Sequence, residues 1–583
     1  MRIGLLTDGG HPCATGESGA WCDRLVRGLP QHEFDLFALV RSVEQEVCGP
    51  FPEHGGRVRT APLWADDGHH PGPRAPKGLL ARMATGGTAR PYGRRERQWF
   101  TDRLADLVAA VCAAGGEDET AVRGPADTDP RFADGLYGLA ELAREHGGLA
   151  TALRSEAAVQ VLEAACRAPG TARTVQSATV PDLLAFAREL GRALRPLSLD
   201  WYDERGLGAV DLCHAASGGA AALPGLLAGH FFRTPLLVSE DGARLREHYL
   251  AAGSTLLNAP ARALLASLHG RLATEVYRRA TIVTSGTTHA RRWQERCGAD
   301  PAKLRTVRPG MAADHFAELG ERDDCGPGDT LVWVGRIEPA KDLTTLLHAF
   351  AEVRGAEPGT RLRIIATAPP GPRGEGHLVR CRALAARLFP GAAADGAAAP
   401  VSFEETGGAG PSGAADAYAA GGVVVQSSVA EGFPADLVAA MFCGRATVST
   451  DVGAVVETIG GTGLVVPPRD PRALAGACLA LLRDPERRAR LGAAARARAL
   501  ELFTVERNLA DLHGLYLELI ARAPVRGQAA ERADGGPRPF ATPPEAHVLD
   551  TWTGPATTGR KPSWATGPRA VCAGARGAGG RDV

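Results

Sequence analysis

Residues Ser427–Pro468 read SSVAEGFPADLVAAMFCGRATVSTDVGAVVETIGGTGLVVPP. An apolar run, Val423–Ser427, leads into the turn EGFP, and apolar residues at helical spacing follow to Phe442. Ala446–Thr450 is a second strand-like run, TDVG a second turn, and Gly463–Val466 a third run. Strand, loop, helix and strand in this order predict a parallel sheet whose loops gather at one edge. Working backwards, Thr330–Gly335, Leu362–Ala366 and Val401–Phe403 extend the series, with helical spacing in Leu343–Val353; helical spacing returns later in Leu474–Leu482. An earlier series comprises Ile3–Thr7, Phe34–Val40, Val210–His214, Pro235–Ser239 and Thr281–Thr284. The fold class is therefore α/β, with two doubly wound parallel-sheet domains.

The polar, Gly-containing segment AELGERDDCGPGD at 317–329 reads as the linker between a first domain, 1–316, and a second, 330–522. Residues 112–196 contain no strand pattern but three helical ones, Arg131–His146, Leu149–Arg167 and Pro181–Leu194, and read as a helical insertion in the first domain. Thr179, Pro181 and Asp182 predict a capped start for the last of these. The Pro-, Gly-, Ala- and Arg-rich tail, 523–583, has no periodicity and reads as disordered.

The length of 583 residues exceeds one ordinary core. Lys+Arg and Asp+Glu are both 66, so the basic excess expected of a nucleic-acid-binding protein is missing. No apolar run reaches the roughly twenty residues of a membrane span, and the chain opens as a strand; the expectation is a cytoplasmic protein. The twelve cysteines form no C-x2-C pair, which argues against zinc knuckles. Only four basic residues are lysine, so Lys341 stands out.

Two segments carry chemistry. Near the amino terminus, LLTDGGHPCATGESGAWCDRLVRGL is a strand, a loop with Gly9, Gly10, Gly16 and Gly19, and an amphipathic helix, an arrangement that suits an anionic group. In TLVWVGRIEPAKDLTTLLHAF, Arg336 follows a strand and Lys341 starts a helix. Both cations are expected at the carboxyl edge of the sheet, where open α/β sheets bind ligands. Fixed positive charge there would stabilise a departing nucleoside diphosphate.

With VGRIEPAKD, EGFP, the AM-x-CG helix, TDVG and GLVVPP in this order, the chain resembles the family 4 glycosyltransferases. The resemblance implies the GT-B fold, two Rossmann-like domains facing a cleft, and retaining transfer from a nucleotide diphosphate sugar without a metal. TDGG, TGES, HAASGG at His214 and LLVSEDGARLRE are similar to the branch that carries a domain of formerly unknown function, as in the Pel exopolysaccharide glycosyltransferases. That branch implies a glycan or other acceptor and a membrane polysaccharide-synthase partner. By resemblance Glu431 is the first carboxylate of E-x7-E and sits beside the donor sugar, with Gly432, Phe433 and Pro434 shaping its loop. Arg336 and Lys341 would clamp the diphosphate, with Gly16 and Gly19 facing it from the first domain, and His214 would line the cleft.

Two positions depart from the family pattern. Ala439 stands where the second glutamate of E-x7-E, a ribose ligand in relatives, is expected, and Asp436 lies one turn earlier on nearly the same face. The expectation is that Asp436 substitutes in part. Asp241 stands where relatives carry a histidine, so it turns away from the phosphates, is protonated, or pairs with Arg244 or Arg246. The same departures motivate an alternative, a degenerate GT-B protein that binds nucleotide or an assembly partner without catalysis.

Overall fold

The structure is a computed structural model and describes residues 1–8, 17–40, 56–63, 92–113, 129–240, 242, 244–251, 257–321, 326–369, 371–390, 399–407, 411 and 413–523. Two all-parallel sheets lie in one compact unit, Met1–Ile520. The first sheet holds β1 (Arg2–Asp8), β2 (Glu33–Val40), β3 (Val58–Pro62), β4 (Leu212–Ala215), β5 (Leu236–Ser239), β6 (Ile282–Ser285) and β7 (Leu304–Thr306), in the order β3-β2-β1-β4-β5-β6-β7. The second holds β8 (Thr330–Gly335), β9 (Arg361–Ala366), β10 (Val401–Glu405), β11 (Val423–Gln426), β12 (Ala446–Thr450) and β13 (Leu464–Val466), in the order β10-β9-β8-β11-β12-β13.

The central strands are unbroken apolar runs because helices bury both faces. Ile3, Leu5, Leu331, Val334, Val423 and Val448 are all buried. In each sheet the winding reverses beside the first strand, between β1 and β4 and between β8 and β11, where Ile3 pairs with Leu212 and Leu331 with Val423. Helices leave opposite faces at such a switch point, which opens a crevice at the strands' carboxyl ends.

Between β3 and β4 lies a helical block. It starts earlier than the sequence suggested: Arg94–Cys112 already forms a helix, followed by Pro130–His146, Glu156–Cys166 and Val180–Ala193. Phe100, Leu104, Leu107, Leu136 and Phe186 share one core with Phe37 and Cys213 of the sheet. The first two helices approach closely because Gly135 has no side chain; a Cβ there would stand 2.6 Å from the Leu107 nitrogen. At the last helix's start the Asp182 carboxylate accepts the Thr179 N–H at 2.9 Å, closing one free donor of the first turn.

The boundaries between the two halves also differ from expectation. Helix Asp314–Gly320 takes up the start of the presumed linker 317–329, of which residues 322–325 lie outside the described residues. The final helix, Val505–Arg522, belongs with the first sheet: Leu512, Leu515, Tyr516 and Leu519 join Ile3, Leu5 and Phe34 in one core. The chain therefore crosses between the halves twice, and the crossings are tied together. Met311 N–H donates to the Phe503 carbonyl at 2.8 Å, and Asn508 Nδ2 to that of Arg308 at 2.7 Å. Residues 521–583 form a second unit, of which only the first three are described, so the expected tail lies outside the described residues. Among the described residues no helix is long and apolar enough to cross a membrane.

Candidate functional site

The site stands at the switch point of the second sheet. β8 ends at Gly335, and Arg336 follows with its side chain 72% exposed; its nearest carboxylate is Glu338, at 3.7 Å. The chain then makes a single turn, Pro339–Lys341, and stops it with Asp342 at φ 44°. Few residues other than glycine accept that conformation, and aspartate is among them. Asp342 also caps the next helix, Leu343–Ala356, by accepting the Thr345 N–H at 3.2 Å.

Across the crevice, the loop after β11 carries Glu431. Two bonds tie it to the Lys341 turn: Ser427 Oγ donates to the Lys341 carbonyl at 2.8 Å, and Val429 N–H to that of Ala340 at 2.8 Å. Lys341 Nζ then donates to Glu431 Oε1 at 2.7 Å and to Asp436 Oδ2 at 3.2 Å, with only 14% of its side chain exposed. Ser428 Oγ donates to the same Glu431 oxygen at 2.7 Å. Burial works against the charge on Lys341, but Asp436 and Glu431 outweigh it and hold its pKa above the ordinary value. Burial raises the pKa of Asp436, and Lys341 opposes part of that rise.

The TDVG turn backs this loop. Gly453 has φ 58°, and a Cβ there would collide with the Glu431 carbonyl oxygen, so only glycine fits. Ala454 N–H donates to the Gly432 carbonyl at 3.2 Å, and Thr450 Oγ1 to that of Ser428 at 2.6 Å. Phe433 packs on Phe503 with ring centroids 5.7 Å apart, and Pro434 immediately precedes helix Ala435–Phe442. Ala439, inside that helix, is buried in an apolar cluster with Leu437 and Phe442.

The first half reaches the same loop. Arg246, on helix Arg244–Ala251, donates to the Glu431 carbonyl at 2.7 Å. Nearby, Thr288 N–H donates to the Glu457 carboxylate at 2.9 Å, and its hydroxyl donates there too. Glu431 thus lies at the junction of the two halves. Farther along the first sheet's edge, Ser217 Oγ donates to Asp8 at 3.3 Å. Glu240 is buried, accepting the Tyr277 hydroxyl and the Gly218 N–H, and burial pushes its pKa up to about 7.

The structure brings Glu431, Lys341 and Asp436 together, leaves Arg336 open beside them, and sets Gly432, Phe433 and Pro434 in their loop. It corrects the expectation for His214. That residue lies within β4, with no exposed surface, rather than in the cleft. Its Nδ1 pairs with the Tyr516 hydroxyl at 2.7 Å and its Nε2 with Ser239 Oγ at 2.8 Å, and burial pulls its pKa down to about 3. Lys341 too is a correction in part: two of its three N–H donors are held by carboxylates, and its side chain is largely buried rather than open to solvent. Gly16 and Asp241 lie outside the described residues, and Gly19 falls in the first turn of helix Glu17–Gly28. Sequence reasoning missed the contact of Arg246 with the Glu431 loop, although Arg246 was weighed as a partner for Asp241; it also missed Tyr277 over Glu240.

Comparison with known proteins decides the family. The model described as Domain of unknown function (DUF3492) matches residues 1–302, more than half of the chain. The chain belongs to the DUF3492 family. In this DUF3492 protein, residues 328–484 also match the model described as Glycosyl transferases group 1. It is similar to the D-inositol 3-phosphate glycosyltransferases of Rhodococcus erythropolis (34% identical over 37% of this chain and 48% of the relative) and Frankia alni (38% over 34% and 46%). The chain therefore spans about half the length of the relatives it matches. Among solved structures it is similar to sucrose-phosphate synthase from Thermosynechococcus elongatus (17% identical, TM-score 0.52, covering 89% of this chain and 99% of that one). It is also similar to HepE from Anabaena in complex with UDP (13%, 0.50, 89% and 100%). At these identities the likeness concerns fold, and the fold of the DUF3492 protein is the GT-B arrangement.

Proposed function

We propose that this protein is a retaining, metal-independent glycosyltransferase that moves a hexose from a nucleoside diphosphate sugar to a hydroxyl of a glycan or small-molecule acceptor. The observation that carries the reading is the pairing of an open cation, Arg336, with a held carboxylate, Glu431, at the switch point and against the first half of the chain. Arg336 meets the negative charge that grows on the diphosphate as the glycosidic bond breaks. Glu431, fixed by Lys341 and Ser428, accepts hydroxyl hydrogen bonds of the donor sugar and favours positive charge at its anomeric carbon. The acceptor hydroxyl attacks from the side the diphosphate leaves and loses its proton to it, so that configuration is kept. Similarity to the D-inositol 3-phosphate glycosyltransferases supports the transferase class. The exopolysaccharide role, the cytoplasmic setting and the membrane synthase partner belong to the same reading and rest on the Pel resemblance.

Calorimetric titration with UDP, GDP and ADP and their glucose conjugates tests it, with Arg336→Ala as control. Binding of one nucleotide that Arg336→Ala loses, followed by turnover with retained anomeric configuration, is the expected result. A second reading, a degenerate GT-B protein, is favoured by one observation: Ala439 presents a methyl group to an apolar cluster where a ribose-binding carboxylate is expected. Nucleotide binding without transfer or donor hydrolysis across a broad sugar panel would select it.

A further inference from the structure

Two of the three N–H donors of Lys341 already point at carboxylates and only 14% of its side chain is exposed, so a phosphate has to compete for its charge. Around the end of β8 lie Arg336, Glu338, Lys341, Glu431 and Asp436, with Arg246 against the Glu431 loop, and the carboxylates bonded to Lys341 outnumber it two to one before any ligand arrives. A nucleoside diphosphate adds further negative charge to the same place. Release of Lys341 by one carboxylate would let that residue turn more of its charge toward the ligand.

The two carboxylates are held unequally. Glu431 accepts from both Lys341 and Ser428, its loop is tied to the Lys341 turn, and 11% of its side chain is exposed. Asp436 is bonded through its side chain to Lys341 alone among the described residues, at the longer distance of 3.2 Å, and is 29% exposed. Its main chain is fixed by the Tyr418 hydroxyl, which donates to the Asp436 carbonyl at 2.9 Å, so a change is confined to the side chain. Its carboxylate also relies on a gap in the strand, for a Cβ on Gly335 would stand 2.9 Å from Oδ2.

Resting on the glycosyltransferase reading, we propose that Asp436 is a resident counter-anion of Lys341, which the phosphates of a nucleoside diphosphate displace on binding. Asp436 then sets donor affinity by competition. This replaces the expectation that it stands in for the missing ribose ligand, and the two roles predict opposite signs. Nothing covalent is exchanged: Lys341 gives up one hydrogen bond to carboxylate and forms one to phosphate.

The test is titration of wild-type protein, Asp436→Asn and Asp436→Ala with UDP, GDP and ADP, each variant's fold being verified by circular dichroism. Removing one unit of negative charge next to the diphosphate is expected to tighten binding by tenfold or more in both variants. Unchanged or weaker binding in both overturns the counter-anion role, and a loss in both restores the ribose-ligand role. Wild-type binding that depends on Arg336 but is not tightened by either substitution refutes this inference and leaves the glycosyltransferase reading standing. No binding by any of the three proteins removes both.

Discussion

Acidification from pH 7 to pH 5 should selectively weaken the wild-type protein relative to a variant in which His214 cannot titrate. The imidazole is fully buried between Tyr516 and Ser239, and burial lowers its pKa from the ordinary 6.5 to about 3. In the unfolded chain it takes up a proton near pH 6.5; in the folded protein it does so only near pH 3. Stability from keeping it neutral is therefore complete above pH 6.5 and is lost as the pH falls toward 3. In full that amounts to about 5 kcal/mol, of which about 2 kcal/mol goes between pH 7 and 5. Urea unfolding of wild type and His214→Gln at both pH values isolates this share, because every other titrating group is common to the two proteins. The stability gap between them should narrow by about 2 kcal/mol at pH 5. A gap of equal size at both pH values would refute the argument that β4 holds a neutral, desolvated imidazole.

Glu240 runs the other way. Its folded pKa of about 7 lies above the ordinary 4.5, so its contribution is complete below pH 4.5 and vanishes as the pH rises through 7. Between pH 5 and 8 wild type should lose about 2–3 kcal/mol relative to Glu240→Gln, and parallel pH–stability curves would count against it. Gly453→Ala forces a Cβ against the Glu431 carbonyl in a left-handed conformation, which should cost about 2 kcal/mol. A lower unfolding temperature together with weaker nucleotide binding is the expected pair, and a variant equal to wild type in both would show that the turn does not position Glu431.

Most of the sheet architecture was readable because central parallel strands must be apolar on both faces. The edge strands were not: Val58–Pro62 contains an arginine and a proline, and Leu304–Thr306 is three residues long. Helix Arg94–Cys112 was passed over although Phe100, Leu104, Leu107 and Val111 fall at helical spacing, because the stretch before it lacks any period. Amphipathic spacing in Val505–Arg522 signals a helix but not which sheet it covers. At the site, EGFP and the Arg336–Lys341 spacing gave the correct loops. What spacing could not convey is that Asp436, ninety-five positions after Lys341, would meet its ammonium group. For His214 the deciding neighbour is 302 positions away, and that neighbour turned a candidate cleft residue into a core one.

The second crossing has a consequence for synthesis. Ile3, Leu5 and Phe34 share a core with Cys22, Leu25 and Val26 of the early helix and with residues of Val505–Arg522, so the cover on that face of the amino-terminal sheet stays incomplete until nearly the whole of the described chain has left the ribosome. A nascent chain that has emerged as far as β13 carries the strands of both sheets but still lacks the final helix that covers the first. Partners made that late close very long loops, and apolar faces waiting for them are where aggregation starts. The expected result is a need for chaperones during translation that ends only once Tyr516 has emerged.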